Sequence, residues 1–421
     1  MSLASNIQEL YSQNLLDLLV KIGQIASKMS LKAYVVGGFV RDLLLERANY
    51  DIDIMVEGDA IPFATAVGQE LQAECKLIER FHTAHIYLQN LTIDFSSARK
   101  EFYRQPGALP EVSFSSIQDD LFRRDFTINA MAIDISPDNQ FELIDLFNGK
   151  QDLESGVIKI LHARSFLDDP TRLYRALRFA DRFRFIFEPK TEMHFDKAIK
   201  LSYPSSLSKK RIAAEIDKAF SEKKPLSLLT KYQNTGLLTY YHRSFVEYSR
   251  PDFKFSVIPA LTTRLRSKLK NISEVAVFWS FFLSSIPIEE AKELLINSGL
   301  PHVICSQATL AIETWKDLLE KLILAKNKIE IYNNLKNACP ESIALMYLKN
   351  KDKEVENKLN LYTNELYFVK PSITGKDLID IGIEPGPQIR LILDKIIEKK
   401  LEGVDLDRKG ELDLARTISN I

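Results

Sequence analysis

The stretch "VVGGFVRDLLLERANYDIDIMVEG", Val35 to Gly58, places a glycine pair, an arginine and two aspartates one residue apart within the length of a single strand–turn–helix–strand unit. Ala33–Val36 reads as a short apolar strand, and Gly37-Gly38 lets the backbone turn sharply into a helix expected to begin near Phe39 and run through Leu43–Leu45. A turn of this kind exposes backbone N–H groups and attracts phosphate. Its glycine spacing is neither the G-x-G-x-x-G of a dinucleotide-binding turn nor the G-x-x-x-x-G-K-[ST] of a P-loop, which disfavours both folds. In Asp51-Ile52-Asp53-Ile54-Met55-Val56 the alternation sends both carboxylates to one face of a strand, while Ile52, Ile54 and Val56 pack on the other. Two carboxylates that close repel unless a cation lies between them. Hard ions such as Mg²⁺ prefer oxygen, so Asp51 and Asp53 are candidate metal ligands, able to hold ions that activate a hydroxyl and neutralise a departing pyrophosphate.

Three further segments extend this chemistry. In "LTIDFSSAR", Leu91, Ile93 and Phe95 alternate with Thr92, Asp94 and Ser96, so Asp94 shares the polar side of Asp51 and Asp53 if the two strands are neighbours. "SSIQDDLFRRDFTINAMAIDI" starts with a cap at Ser115/Ser116, continues as a short helix and ends in a strand expected over Ala130–Ile135. At the helix end Arg124 is a candidate phosphate ligand, and Asp125 or Asn129 a candidate partner for ribose hydroxyls. Arginines there also serve simply to satisfy terminal carbonyls. In "SFLDDPTRLYRALRFADRF", Leu173, Ala176, Leu177 and Ala180 form a buried stripe flanked by Arg172 and Arg175. Asp169, before Pro170, reads either as a helix cap or, with Arg172, as a pair that reads a base edge: a carboxylate accepts from an exocyclic amine and a guanidinium donates to a ring acceptor. Cytosine and adenine offer that pattern, whereas uracil and guanine offer its opposite.

The rest of the chain sets limits. Its 421 residues exceed what one core usually serves, which predicts two to four domains. With 56 Lys+Arg against 57 Asp+Glu, net charge identifies no partner, and only local clusters such as Lys209–Arg211, Arg264–Lys270 and Lys316–Lys328 could mark a polyanion track, although solvated helix faces account for such clusters equally well. Cys75, Cys305 and Cys339 fit neither a disulfide framework nor a zinc site, and a cytoplasmic location is expected. The N-terminus reads as an amphipathic helix through Leu15, Leu16, Leu19, Val20 and Ile22, and the apolar run Val275–Ile286 as a buried helix too short to cross a bilayer. Up to about Ile135 short β-rich runs alternate with helical patterns; from about Phe166 the chain is a string of helices.

Taken in order, "GGFVRD" with "DID", "RRDFTINAMA", "DLFNGKQDLESGVIKILH", "DDPTRLYRALRF" and "LSKKRIAAEI" resemble the motifs of the class II tRNA nucleotidyltransferase and bacterial poly(A) polymerase family, and "ITGKDLIDIGIEPGPQIRLIL", Ile373 to Leu393, resembles a segment in the tail of bacterial members. The resemblance implies an α+β fold: a polymerase-β-like nucleotidyltransferase head with a mixed sheet and flanking helices over residues 1–150, a helical neck over 151–270, and a helical body and tail over 271–421. It implies that Asp51 and Asp53 bind catalytic Mg²⁺, with Asp94 a third carboxylate, and that Gly37, Gly38, Arg41 and Arg124 hold the triphosphate. It implies further that Asp125, Asn129, Asp169, Arg172 and Arg175 line the nucleotide site, with Asp169 and Arg172 selecting CTP and ATP. The implied partner is tRNA, extended at its 3′ end by CCA or by its CC or terminal A part, with no membrane and no obligate protein partner. Poly(A) synthesis and a non-catalytic RNA-binding role are the alternatives. Two departures from the family pattern stand out, Asp168 where Glu is usual and Asn148-Gly149 where a glycine pair is common. The resemblance further implies that the segment Ala98–Ser116, polar and with no obvious truncation, acts as a lever that reshapes the pocket for the final A, with Arg99 and Glu101 expected to tie it to the nucleotide helix.

Overall fold

The computed structural model of the chain describes residues 2–79, 82–89, 91–105, 107–108, 110–139, 141–246 and 253–419. They form two compact units, Met1–Glu215 with Ser227–Tyr248, and Ile216–Leu226 with Ser249–Ile421.

The first unit is built on a seven-stranded sheet of order β3-β4-β5-β2-β1-β8-β9. Its strands are β1 (Lys32–Val36), β2 (Asp51–Glu57), β3 (Glu74–Ile78), β4 (Thr83–Leu88), β5 (Leu91–Ser97), β8 (Ala132–Asp134) and β9 (Leu143–Ile144), while β6 (Arg99–Phe102) and β7 (Glu111–Phe114) form a separate hairpin. All neighbours in the sheet are antiparallel except β2 and β5, so the sheet is mixed. Alternation does what the sequence demands: Ile52, Ile54 and Val56 are fully buried on one face, with Ile86, Ile93 and Phe95 from the neighbouring strands. Phe63 of the helix Ala60–Leu71 meets Phe95 edge-on, ring centroids 5.6 Å apart. Burying each such side chain stabilises the fold by about 1.5–3 kcal/mol. The opposite face is polar only at one end. Tyr34, Val36 and Met55 lie there in a core with Ala98, Leu121, Ala130 and Ala132, so that Met55, which follows Asp51 and Asp53 in the alternation, is sealed off while the aspartates are not.

Three local expectations are corrected. The N-terminal helix Gln13–Lys28 buries Leu15, Leu19 and Ile22 but leaves Val20 at 37 % exposure, because the buried stripe is narrower than the apolar run. The strand expected over Ala130–Ile135 is confined to Ala132–Asp134, since Thr127–Asn129 turn as a 3₁₀ segment whose side chains are used internally. The helix after the glycine pair begins at Gly38.

After the sheet the first unit is largely helical, with segments Ser165–Asp168, Thr171–Phe183, Pro189–Lys200 and the start of Lys209–Phe220. The second unit is entirely helical among the described residues. Its apolar helix Glu274–Leu283, capped by Ser273, buries every side chain from Ala276 to Leu283 and stacks Phe278 on Phe220 at 5.0 Å. At the C-terminus Ile373, Leu378, Ile383, Ile392, Ile396 and Ala415 make a small core of their own, pinned by buried Glu411, which accepts from the backbone N–H groups of Ser372 and Ile373. No helix among the described residues is long and apolar enough to cross a membrane.

Candidate active site

One row of residues crosses four strands of the sheet. Val36 of β1 pairs with Asp53 of β2, Asp53 with Asp94 of β5, and Asp94 with His85 of β4. Paired residues project to the same face, so Asp53, Asp94 and His85 line up there, with Asp51 two residues before Asp53 at the exposed end of its strand. His85 Nδ1 lies 2.5 Å from Asp94 Oδ1. Burial, then Asp51 and Asp94, push the Asp53 carboxyl up to about 6, against the opposing pull of Arg124. The charge accumulated there is what a cation would relieve. Among the described residues no three His, Cys, Asp or Glu side chains gather into a group that could hold a metal alone. Mg²⁺ needs no such cage, because it is commonly held by one or two carboxylates together with substrate phosphates. The hard oxygen donors of Asp51 and Asp53, on one face, therefore fit Mg²⁺ that arrives with a polyphosphate.

The glycine turn stands directly against this row. Gly37 has φ +73°, and a Cβ there would come within 2.8 Å of Arg124 Nη1 and 3.7 Å of Asp53 Oδ2. The left-handed backbone there favours glycine, and the turn passes beside both the guanidinium and the carboxylate. Arg124 is held from behind by Asp120, a residue that the sequence reading passed over. Asp120 is fully buried, and it forks: Oδ1 accepts from Arg123 Nε and Nη2 at 3.0 and 2.6 Å, Oδ2 from Arg124 Nε and Nη2 at 3.3 and 3.0 Å. Burial alone would raise its carboxyl, but Arg124 and Arg123 outweigh that and hold it below the ordinary range. Arg123 is aimed at Glu101 (3.0 Å) and Arg124 toward Gly37 and Asp53.

A second network lies under the first. Arg41, buried, donates through Nε and Nη2 to both oxygens of Asp42 and through Nη1 to Asn129 Oδ1 at 2.7 Å, with its guanidinium over the rings of Phe179 and Phe183. Asn129 passes the chain on, donating to Asp125 Oδ1, which also accepts from the Phe126 N–H. Asp125 Oδ2 accepts from Nε and Nη2 of Arg175. Burial opposes ionisation of Asp125, yet Arg175 and Asn129 bring its carboxyl down to about 2. In this structure Asp125, Asn129 and Arg41 spend their polar atoms on one another and on Asp42 and Arg175. Gly38 borders the same network, since a Cβ there would face Asn49 Nδ2 and Arg41 Nη2 at 3.5 and 3.6 Å.

Asp169 and Arg172 sit at the start of the helix Thr171–Phe183. The helix-cap reading holds in part: Pro170 takes the cap position without a side-chain bond, while Asp169 Oδ1 just before it accepts from the Thr171 N–H and hydroxyl at 3.0 and 2.7 Å. The same oxygen also accepts from Arg211 Nη2 at 2.7 Å. Arg172 is 5 % exposed and donates through Nη1 to Ser165 Oγ at 2.7 Å and through Nη2 to the Arg123 carbonyl at 2.5 Å. Arg172 nonetheless borders a cavity of about 350 Å³, whose wall includes Glu101, Tyr103, Phe122, Arg123, His162 and Asp168. That volume is at the lower end for small-ligand sites. The hairpin β6–β7 contributes Glu101 to this wall, and Arg99 pairs with Glu101 at 3.2 Å.

His85 and Asp120 escaped the sequence reading for different reasons. His85 could have been found by register, because Leu88 opposite Leu91 puts His85 opposite Asp94. Asp120 carried no signal beyond its place in a short helix.

Residues 33–159 match the model of the poly A polymerase head domain. The chain is 31% identical over 417 residues to an A-adding tRNA nucleotidyltransferase of Geobacter sulfurreducens, covering 94% of this chain and 46% of that protein, so it spans about half the length of that relative. A second A-adding tRNA nucleotidyltransferase, from Halalkalibacterium halodurans, is 32% identical over 410 residues and is matched almost end to end, with 96% of this chain and 93% of the relative covered. Among solved structures, a Thermotoga maritima CCA-adding enzyme complexed with tRNA superposes with a TM-score of 0.73 at 30% identity, covering 100% of this chain and 99% of that one. Motif order, the mixed sheet with its carboxylate row, and similarity along the whole length agree, and the chain belongs to the class II tRNA nucleotidyltransferase family, with a polymerase-β-like head followed by helical domains.

Proposed function

We propose that this protein adds nucleotides to the 3′ end of tRNA without a nucleic-acid template, and that it adds the terminal A from ATP. The observation that carries the reading is Gly37 held between Asp53 and Arg124, which brings a phosphate-type turn, a carboxylate and a guanidinium to one point. Asp51 and Asp53 would hold Mg²⁺, which supplies activation of the attacking hydroxyl and charge neutralisation at the leaving pyrophosphate. Arg124, braced by Asp120, binds the triphosphate and keeps it in line with the carboxylate row. Asp94, oriented by His85, faces the incoming 3′ hydroxyl as the third carboxylate. Arg172 donates to the base ring and Asp169 accepts from its exocyclic amine, which favours ATP and CTP over UTP and GTP. Arg41, Asp125, Asn129 and Arg175 keep the floor beneath this site rigid. The likeness to two A-adding relatives supports addition of A in particular.

The experiment uses the purified full chain with Mg²⁺, labelled ATP or CTP, and tRNA transcripts ending before CCA or after CC, beside an unrelated RNA. Labelled A appearing on the CC-ending tRNA is expected. Two C residues added with no A, long A tracts on the unrelated RNA, or RNA binding without transfer would each refute the proposal.

A further inference from the structure

The helix Lys209–Phe220 opens with a basic cluster that a solvated face would explain, yet its first residues are anchored. Lys209 Nζ donates to the Tyr240 and Tyr241 carbonyls at 2.8 and 2.6 Å. Arg211, with its side chain 26 % exposed, uses both ends of its guanidinium: Nη2 donates to Asp169 Oδ1 at 2.7 Å, and Nη1 donates to the Gly107 carbonyl at 2.9 Å. Gly107 belongs to the tip of the β6–β7 hairpin. Its φ is +70°, and a Cβ there would stand 2.2 Å from Ser206 Oγ, so Gly107 is seated closely on the turn Tyr203–Ser206 just before the helix. The hairpin tip, Arg211 and Asp169 are thus joined by two hydrogen bonds from a single rigid plane.

The consequence for Asp169 follows from counting its acceptors. Oδ1 takes three donors, from the Thr171 N–H, the Thr171 hydroxyl and Arg211, while Oδ2 has no partner among the described residues. A carboxylate so held presents one chosen oxygen to an incoming amine. Thr171 alone fixes Oδ1 from one side; the planar fork of Arg211 fixes it from the other. Because the same plane is bonded to Gly107, any shift of the hairpin tip moves Arg211 and with it the orientation of Asp169.

We propose that Arg211 is the positioning residue that couples the hairpin to base selection, setting which oxygen of Asp169 reads the nucleotide. This rests on the reading of Asp169 as the group that selects the base. Its action is through Asp169, not on the nucleotide itself.

The test compares Arg211→Ala, Arg211→Lys, Gly107→Ala and the double variant Gly107→Ala/Arg211→Ala in single-nucleotide transfer to CC-ending tRNA, with kcat/KM measured separately for ATP, CTP, GTP and UTP. Gly107→Ala unseats the tip without touching the guanidinium, and it keeps the test open should Arg211→Ala fold poorly. Discrimination of ATP against GTP should fall about tenfold in Arg211→Ala, the low end for a lost base-reading contact. It should fall similarly in Gly107→Ala, and no further in the double variant, since both break one link. Arg211→Lys, a point charge in place of a fork, should recover part of the selectivity. Direct tRNA binding should stay within about twofold throughout, as these contacts face the nucleotide rather than the RNA backbone. Unchanged selectivity in Arg211→Ala, an equal loss for all four nucleotides, or additive effects in the double variant would overturn the proposal while leaving the transfer activity standing. Absence of transfer by the wild-type protein would remove both the functional reading and the coupling.

Discussion

Replacing Asp53 by asparagine should stabilise the metal-free protein while destroying its activity. In the folded chain the Asp53 carboxyl is raised from an ordinary 3.8 to about 6, first by burial and then by Asp51, so its ionised form is disfavoured relative to the unfolded chain. The sign follows from linkage: a carboxyl raised on folding costs nothing below its unfolded pKa, and the cost is complete above the folded one. Converting the shift gives a cost of about 3 kcal/mol at pH 8, and about half of that at pH 5, where the folded carboxyl is already mostly protonated. Asparagine keeps the shape and removes the charge. The assay is urea unfolding of wild type and Asp53→Asn in EDTA at pH 5 and pH 8, following the loss of structure in the unit that contains the sheet. The variant should be the more stable at both values, with a wider gap at pH 8. On the proposed mechanism, nucleotide transfer by the same variant should fall by several orders of magnitude, because the lost carboxylate would serve the transition state. Adding Mg²⁺ should then protect the wild type against unfolding and leave Asp53→Asn almost unmoved. A gap that is absent at pH 8, or that fails to widen between pH 5 and pH 8, would refute the electrostatic reasoning.

Two further predictions rest on other parts of the molecule. Asp120→Asn removes the charge that two arginines share, and breaking such a buried pairing costs about 3–5 kcal/mol; a lower melting temperature and a raised KM for ATP are expected, and an unaltered KM would show that Arg124 needs no brace. Removal of residues from Ile373 onward deletes a segment with its own small core and should raise KM for tRNA far more than KM for ATP, with salt dependence of tRNA binding reduced; equal effects on both substrates would count against a tRNA role for the tail.

Much of the head was legible because side-chain period and strand geometry are local. Alternation in Asp51–Val56 and Leu91–Ser96 assigned each residue to a face, and the parallel pairing of β2 with β5 then set Asp53 beside Asp94. The glycine pair predicted a sharp turn for the same local reason, and the buried helix at Glu274–Leu283 followed from its continuous apolar run. Local reading failed where an element's neighbours decide its fate. Val20 repeats the apolar pattern of its helix but stays exposed, and Met55 repeats the polar phase of its strand but is buried in a cluster with Leu121 and Ala98.

The sequence by itself determined where the candidate groups stand in their elements: carboxylates on one face of a strand, a phosphate-type turn beside them, and an aspartate and arginine at the head of a helix. Their division of labour was decided only by tertiary structure, since a hydrogen-bonding side chain has more possible partners than one chain position can specify. Asp125 and Asp120 look alike in sequence, yet one closes a chain from Arg41 to Arg175 and the other splits Arg123 from Arg124. Arg211 lies 42 residues from Asp169 and 104 from Gly107, and only folding places its two donors between them.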